Sequence, residues 1–163
     1  MEENEHARLQ AVAQLAGIVE MVKRLKHTSE CTGDEECGIT DEEICNGLNL
    51  HYESGKTVVT DGERDEYHDE DAIERMIAED PLSVQVRSGW QSPGEQLKPE
   101  EFEILLCTGG PAVRIVGELN PHNEPERARI EYQDWGTPWT EYFGADSEEL
   151  DALITYAGQF FYY

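Results

Sequence analysis

The chain begins with a helical pattern. Leu9, Val12, Ala16 and Val19 fall on one stripe of a 3.6-residue period, and Leu15, Ile18, Val22 and Leu25 fall on the adjoining one. They predict a long helix over 5–27 with a wide apolar face. Its last turns carry Lys23, Arg24 and Lys26, where cations suit the helix dipole. Such a face is not stable alone in water. It packs on the rest of the fold or on a second copy of itself, so a homodimer through this helix is one expectation.

From residue 82 the period shortens to two. Leu82, Val84 and Val86 alternate with Ser83, Gln85 and Arg87; Phe102, Ile104 and Leu106 with Glu103, Leu105 and Cys107. Val113 and Ile115, then Ala128, Ile130 and Tyr132, continue the alternation, which makes four half-buried strands. The turn "TGGP" (108–111) and the longer "NPHNEPE" (120–126) join the last three into an antiparallel meander. "SGWQSPGEQLKPEE" (88–101) reads as an extended connection over an end of the sheet. Asp146 with Glu149 forms a capping box for a final helix with Leu150, Leu153, Ile154 and Ala157 inward.

The middle is weakly patterned. Thr40 with Glu43 suggests a capping box for one turn carrying Ile44, and "LNLHYESGKTVVT" (48–60) predicts a hairpin. "DGERDEYHDED" (61–71) reads as an acidic loop, and "DEDAIERMIAED" (69–80) as a short helix with Ile73, Met76 and Ile77 inward, stopped by Pro81. The expected class is α+β: a four-strand, meander-like antiparallel sheet, first and last helices on one face, and an acidic hairpin/helix insert. The segments are 1–29, 30–80 and 81–163, together one compact unit.

Charge sharpens this picture. In 163 residues, 36 acids face 12 lysines and arginines, a net −24. Residues 1–29 are neutral, 30–80 hold eighteen acids and three bases, and 81–163 hold fourteen acids and five bases. A stretch at −15 repels itself. It disfavours nucleic acid and anionic membrane as direct partners, and its complement is a basic protein surface or a cation. There is no long apolar run and no basic-then-apolar leader, and the four cysteines read as reduced thiols, so the cytosol is the expected compartment.

Candidate chemistries are thin. Cys31, Cys37 and Cys45, with His27 and His51 nearby, have gaps that fit no zinc knuckle, so free thiols are expected and no metal or cofactor is assigned. The acidic run 61–71 lacks the central glycine and downstream glutamate of a calcium loop. The glycines of "CTGGPA" are explained by a turn. No nucleophile or metalloprotease constellation is present, so the chain reads as a non-enzyme.

Two features remain. "DWGTPWTEYF" (134–143) predicts a corner in which Trp135, Trp139 and Phe143 plug the gap between sheet and last helix. The competing reading is an aromatic rim that, with Asp134 and Glu141, anchors a partner's arginines. The second feature is the acidic surface: carboxylates held on rigid elements imitate a row of phosphates. The chosen acids are Glu63, Asp65, Glu66, Asp69, Glu70 and Asp71, with Asp34, Glu35 and Glu36 as a second patch.

The stretches "DPLSVQVRSGWQSPGE", "EFEILLCTGGPAVRIVGELN", "ARIEYQDWGTPWTEYF" and "LITYAGQFFY" resemble a widespread family of small acidic phage and prophage proteins. The likeness covers 80–162 and, more loosely, "AVAQLAGIVEMV"; residues 28–70 match nothing in it. What the resemblance implies is counter-defence in a host bacterial cytosol. The expectation is an anti-CRISPR-like inhibitor whose acidic, DNA-mimicking face occupies the basic surface of a host nuclease or CRISPR effector complex. The alternative is a phage accessory protein assembling through hydrophobic contacts of the N-terminal helix or of Trp90, Trp135 and Trp139.

Overall fold

The computed structural model describes residues 4–33 and 37–163, so the expected patch Asp34, Glu35 and Glu36 lies outside the described residues. The helices are α1 (Glu5–Glu30), α2 (Asp41–Gly47), α3 (Asp61–Tyr67), α4 (Glu70–Glu79) and α5 (Ser147–Ala157). The strands are β1 (Ser83–Arg87), β2 (Glu101–Cys107), β3 (Ala112–Leu119), β4 (Pro125–Gln133) and β5 (Thr140–Glu141). They pair antiparallel in the order β1-β2-β3-β4-β5. The fold is α+β as the periodicity predicts, with a fifth strand of two residues added from the aromatic stretch.

Alternation decides which face of the sheet is covered. Ile104, Ile115 and Ile130 stand opposite one another in register and are buried with Phe102, Leu106, Val113 and Tyr132. Against them pack α1, α4 and α5, through Leu15, Ile18, Ile73, Ile77, Leu153 and Tyr156. Burying each such side chain is worth about 1.5–3 kcal/mol, so this layer carries most of the stability. β1 is an edge strand: Val84 is half-buried, while Leu82 and Val86, expected inside, are exposed. Trp90, within the 88–101 connection, is fully exposed.

The two stripes of α1 have different fates. Ala7, Ala11, Leu15, Ile18 and Val22 line the core, whereas Leu9, Val12 and Ala16 face solvent. A straight helix lying on one layer can bury only one stripe.

The capping signals hold. Thr40 with Glu43 and Asp146 with Glu149 form reciprocal capping boxes at α2 and α5. A third box, Thr60 with Glu63, starts α3 and overturns two expectations. Residues 61–67 are a helix, not a loop, and 48–60 pair in no sheet. Val58 is 81 % exposed, and the chain instead turns locally, with the Lys56 and Thr57 N–H groups donating to the Glu53 carbonyl. A hairpin needs an apolar face to bury, and here no neighbour supplies one.

Two outcomes test this packing. A Cβ on Gly117 of β3 would stand 1.9 Å from the Arg127 carbonyl oxygen and 2.8 Å from the Phe102 ring, whereas one on Gly110 would meet nothing. Gly117→Ala should therefore lose about 2–3 kcal/mol in urea unfolding, with Gly110→Ala close to neutral. Burial raises the phenol pKa of Tyr67 from 10.0 to about 12, and pushes Tyr156 and Tyr162 up as well. The unfolded chain ionises first, so this contribution is complete below pH 10 and is lost as pH climbs through the folded values. Unfolding curves taken against pH should show stability falling from about pH 10 upward.

Candidate functional site

The acidic insert sits at the C-terminal end of α1, on a small core of its own. Ile44 and Cys45 of α2 and Tyr67 of α3 are buried there, apart from the main core. The joint is Arg24, a charged side chain with only 1 % of its surface exposed. Its Nε donates to the Tyr67 carbonyl at 2.9 Å and its Nη2 to the Glu66 carbonyl at 2.5 Å. These are carbonyls of the last turn of α3, its negative dipole end, and the Glu66 carbonyl also accepts from the Asp69 N–H at 3.1 Å. The guanidinium carbon also lies 5.7 Å from the centre of the Tyr67 ring. Burial pulls the Arg24 pKa down and Glu66, Tyr67 and Asp69 push it back.

On this mount the acids point outward. Asp65, Glu66, Asp69, Glu70 and Asp71 are exposed, on α3 and the start of α4. Two of the six chosen residues have structural work as well. Glu63 closes the α3 capping box, and Asp69 caps α4 by accepting from the Ala72 N–H. The one arginine of α3, Arg64, is taken by Asp41 at 3.2 Å.

The sheet treats its charges differently. On its outer face Arg114 binds Glu103 at 2.6 Å and Glu131 at 2.8 Å. Arg129 reaches Glu131, Glu118 and Glu141 at 3.2, 3.6 and 3.8 Å, and Arg87 pairs with Glu101. Glu101, Glu103, Glu118, Glu131 and Glu141 of the sheet are thus matched by bases, while among the described residues the acids of α3 and α4 are not.

Trp135 and Phe143 of the aromatic stretch stand out as a rim and do not plug the corner. Trp135 is 82 % and Phe143 83 % exposed. Trp139 is half-buried, but on the outer face of the sheet, with the Arg114 guanidinium 4.1 Å above its ring. The corner expected between sheet and helix is filled instead by Tyr132, Tyr142, Tyr156 and Phe160. Side-chain Oδ1 of Asn4 pins the loop: it accepts from the Asp134 N–H at 3.1 Å and the Thr137 hydroxyl at 2.6 Å. Asp134 is half-buried and Glu141 is engaged by Arg129, so these two are poor anchors for a partner's arginines.

Folding also gathers one group of metal-ligating side chains among the described residues: His27, Cys31, Cys37 and His68, all within 4.8 Å of one another. The Nε2 atoms of His27 and His68 are 3.0 Å apart, and Cys37 Sγ is 3.2 Å from one and 3.4 Å from the other. His27 has its pKa lowered by burial first and by His68 second; burial raises the Cys37 thiol. Of the residues considered from sequence, Cys45 is buried in α2 and His51 is exposed, neither in this group. His68 was missed because it stands in a run of acids with no chelating spacing. The only local signal was His27 and Cys31, one turn apart on α1.

No protein-family model, curated protein or solved structure matches the chain. No helix among the described residues is long and apolar enough to cross a membrane.

Arg24 makes the mount testable. Arg24→Met keeps the bulk but takes the guanidinium donor from the Tyr67 carbonyl, while the Glu66 carbonyl keeps the Asp69 N–H, which should cost about 1–3 kcal/mol. Hydrogen exchange should show α3 amides losing protection well before those of β2 and β3.

Proposed function

We propose that the chain is a non-enzymatic binding protein whose α3–α4 face engages a basic protein surface in place of nucleic acid. The observation that supports it is the pairing of high negative charge with order. Asp65, Glu66, Glu70 and Asp71 stand unpaired on two capped helices, fixed to α1 through Arg24. A solvated acidic tail needs no such mount; a surface that presents carboxylates at set positions does. Cationic clefts that hold DNA offer the matching sign, and steering between opposite charges makes the encounter fast and salt-sensitive. With the sequence resemblance to phage proteins, the reading becomes an anti-CRISPR-like or other counter-defence inhibitor of a host nucleic-acid-handling complex.

A second reading rests on a separate observation. Trp90, Trp135 and Phe143 are large, apolar and largely exposed. A partner docking on aromatics would make the acidity a device for solubility.

Salt and charge reversal separate the two. Tagged protein is used to capture partners from bacterial lysate, beside a variant carrying Asp65→Lys, Glu66→Lys, Glu70→Lys and Asp71→Lys. Glu63 and Asp69 are left alone so that both helix caps survive. The electrostatic reading expects a nucleic-acid-handling complex that duplex DNA displaces, released at moderate salt, and bound about 100-fold or more weakly by the folded variant. Undiminished capture by that variant, lost instead in Trp135→Ala, would transfer the function to the aromatic rim.

A further inference from the structure

We propose that His27, Cys31, Cys37 and His68 bind a single zinc ion, a closed structural site that fastens the acidic insert to the end of α1. The donor set is two imidazoles and two thiols drawn from three places: the last turns of α1, the loop after it, and the C-cap of α3. Zinc takes four such ligands in a tetrahedron. Bond lengths of about 2.0 Å to nitrogen and 2.3 Å to sulfur place neighbouring ligand atoms about 3.4–3.8 Å apart. Among His27, Cys37 and His68 the observed 3.0, 3.2 and 3.4 Å lie within a few tenths of an ångström of that, and Cys31 Sγ lies within 4.8 Å of all three, so a small rearrangement of these side chains admits the ion.

Three further features fit a metal and have no other evident use. His68 Nδ1 lies 2.7 Å from the Arg64 carbonyl, which can only accept. The proton therefore sits on Nδ1, and the Nε2 lone pair faces the cluster, the orientation that a carbonyl partner gives a ligating histidine. The Gly33 N–H donates to Cys31 Sγ at 3.4 Å, so the backbone of the loop holds this sulfur beside the cluster. Gly33 itself has φ +91°, and a Cβ there would stand 3.0 Å from His68 Cγ. The loop thus comes close to the ring only because this residue has no side chain. Without an ion, electron-rich atoms crowd together in a strongly acidic part of the chain; a dication relieves both. With four protein ligands no position stays open for water, which makes the site structural rather than catalytic.

The test needs no partner, so it stands apart from the function proposed above. Full-length chain without a polyhistidine tag is purified in the absence of chelators and its metal content measured. About one zinc per chain is expected, falling to about a tenth or less in Cys37→Ser and in His68→Gln, and unchanged in Cys107→Ser. Cobalt(II) added to metal-stripped wild type should give the intense visible bands of tetrahedral thiolate coordination. That reading needs no variant to fold. A chain free of zinc that gives no such bands would overturn the site, as would a Cys31–Cys37 disulfide found by thiol titration, or equal metal loss in Cys107→Ser.

Discussion

One buried arginine decides how this protein is put together. Arg24 has to reach the carbonyls at the end of α3, because a guanidinium kept from water without acceptors would cost several kcal/mol. That requirement fixes α3 at the end of α1 and with it Tyr67, whose ring lies over the guanidinium. Since α1 also lies along the sheet, a single helix serves two cores. Its first two-thirds complete the main layer, and its end carries the acidic one.

The division of labour extends to charge. The sheet's outer face has few bases but uses them economically, two arginines each touching several glutamates. Such partly exposed pairs add little stability individually, yet they cancel field locally. The insert does the opposite. Its Arg64 is spent internally on Asp41 and Arg24 of α1 on helix carbonyls, so neither neutralises the outward carboxylates, among which only Arg75 of α4 stands as an exposed base. Both arrangements draw on the same shortage of cations, and together they leave α3 and α4 with acids well in excess of bases.

Much of the scaffold was legible in the sequence, and the reasons are physical. Period-two alternation survives in β2 and the end of β4 because one face is covered, whereas the central β3 also buries Val116 on the other face; the boxes at Thr40 and Asp146 are local chemistry that needs no tertiary information. The 48–60 segment misled because β-branched residues have strand propensity but gain from it only beside a neighbouring strand. The acids of 61–67 concealed a helix whose cap, Thr60, had been counted as the end of that hairpin. Aromatic size suggested burial for Trp135 and Phe143, whereas Tyr132 and Tyr156 took the interior. The His/Cys group was hidden for a different reason: His68 joins it across the fold, and linear spacing cannot register a ligand brought by a helix cap.

The short β5 strand has a consequence for how the sheet ends. It covers only Glu131 and Tyr132, so the first part of β4 is left as a bare edge. A bare edge is a template for strand addition from another chain. Here that portion begins with Pro125, which has no N–H to offer, and continues through Glu126, Arg127 and Arg129, whose charges an incoming strand would have to desolvate. The edge is thereby guarded against runaway pairing, and the fold needs no longer fifth strand to seal it.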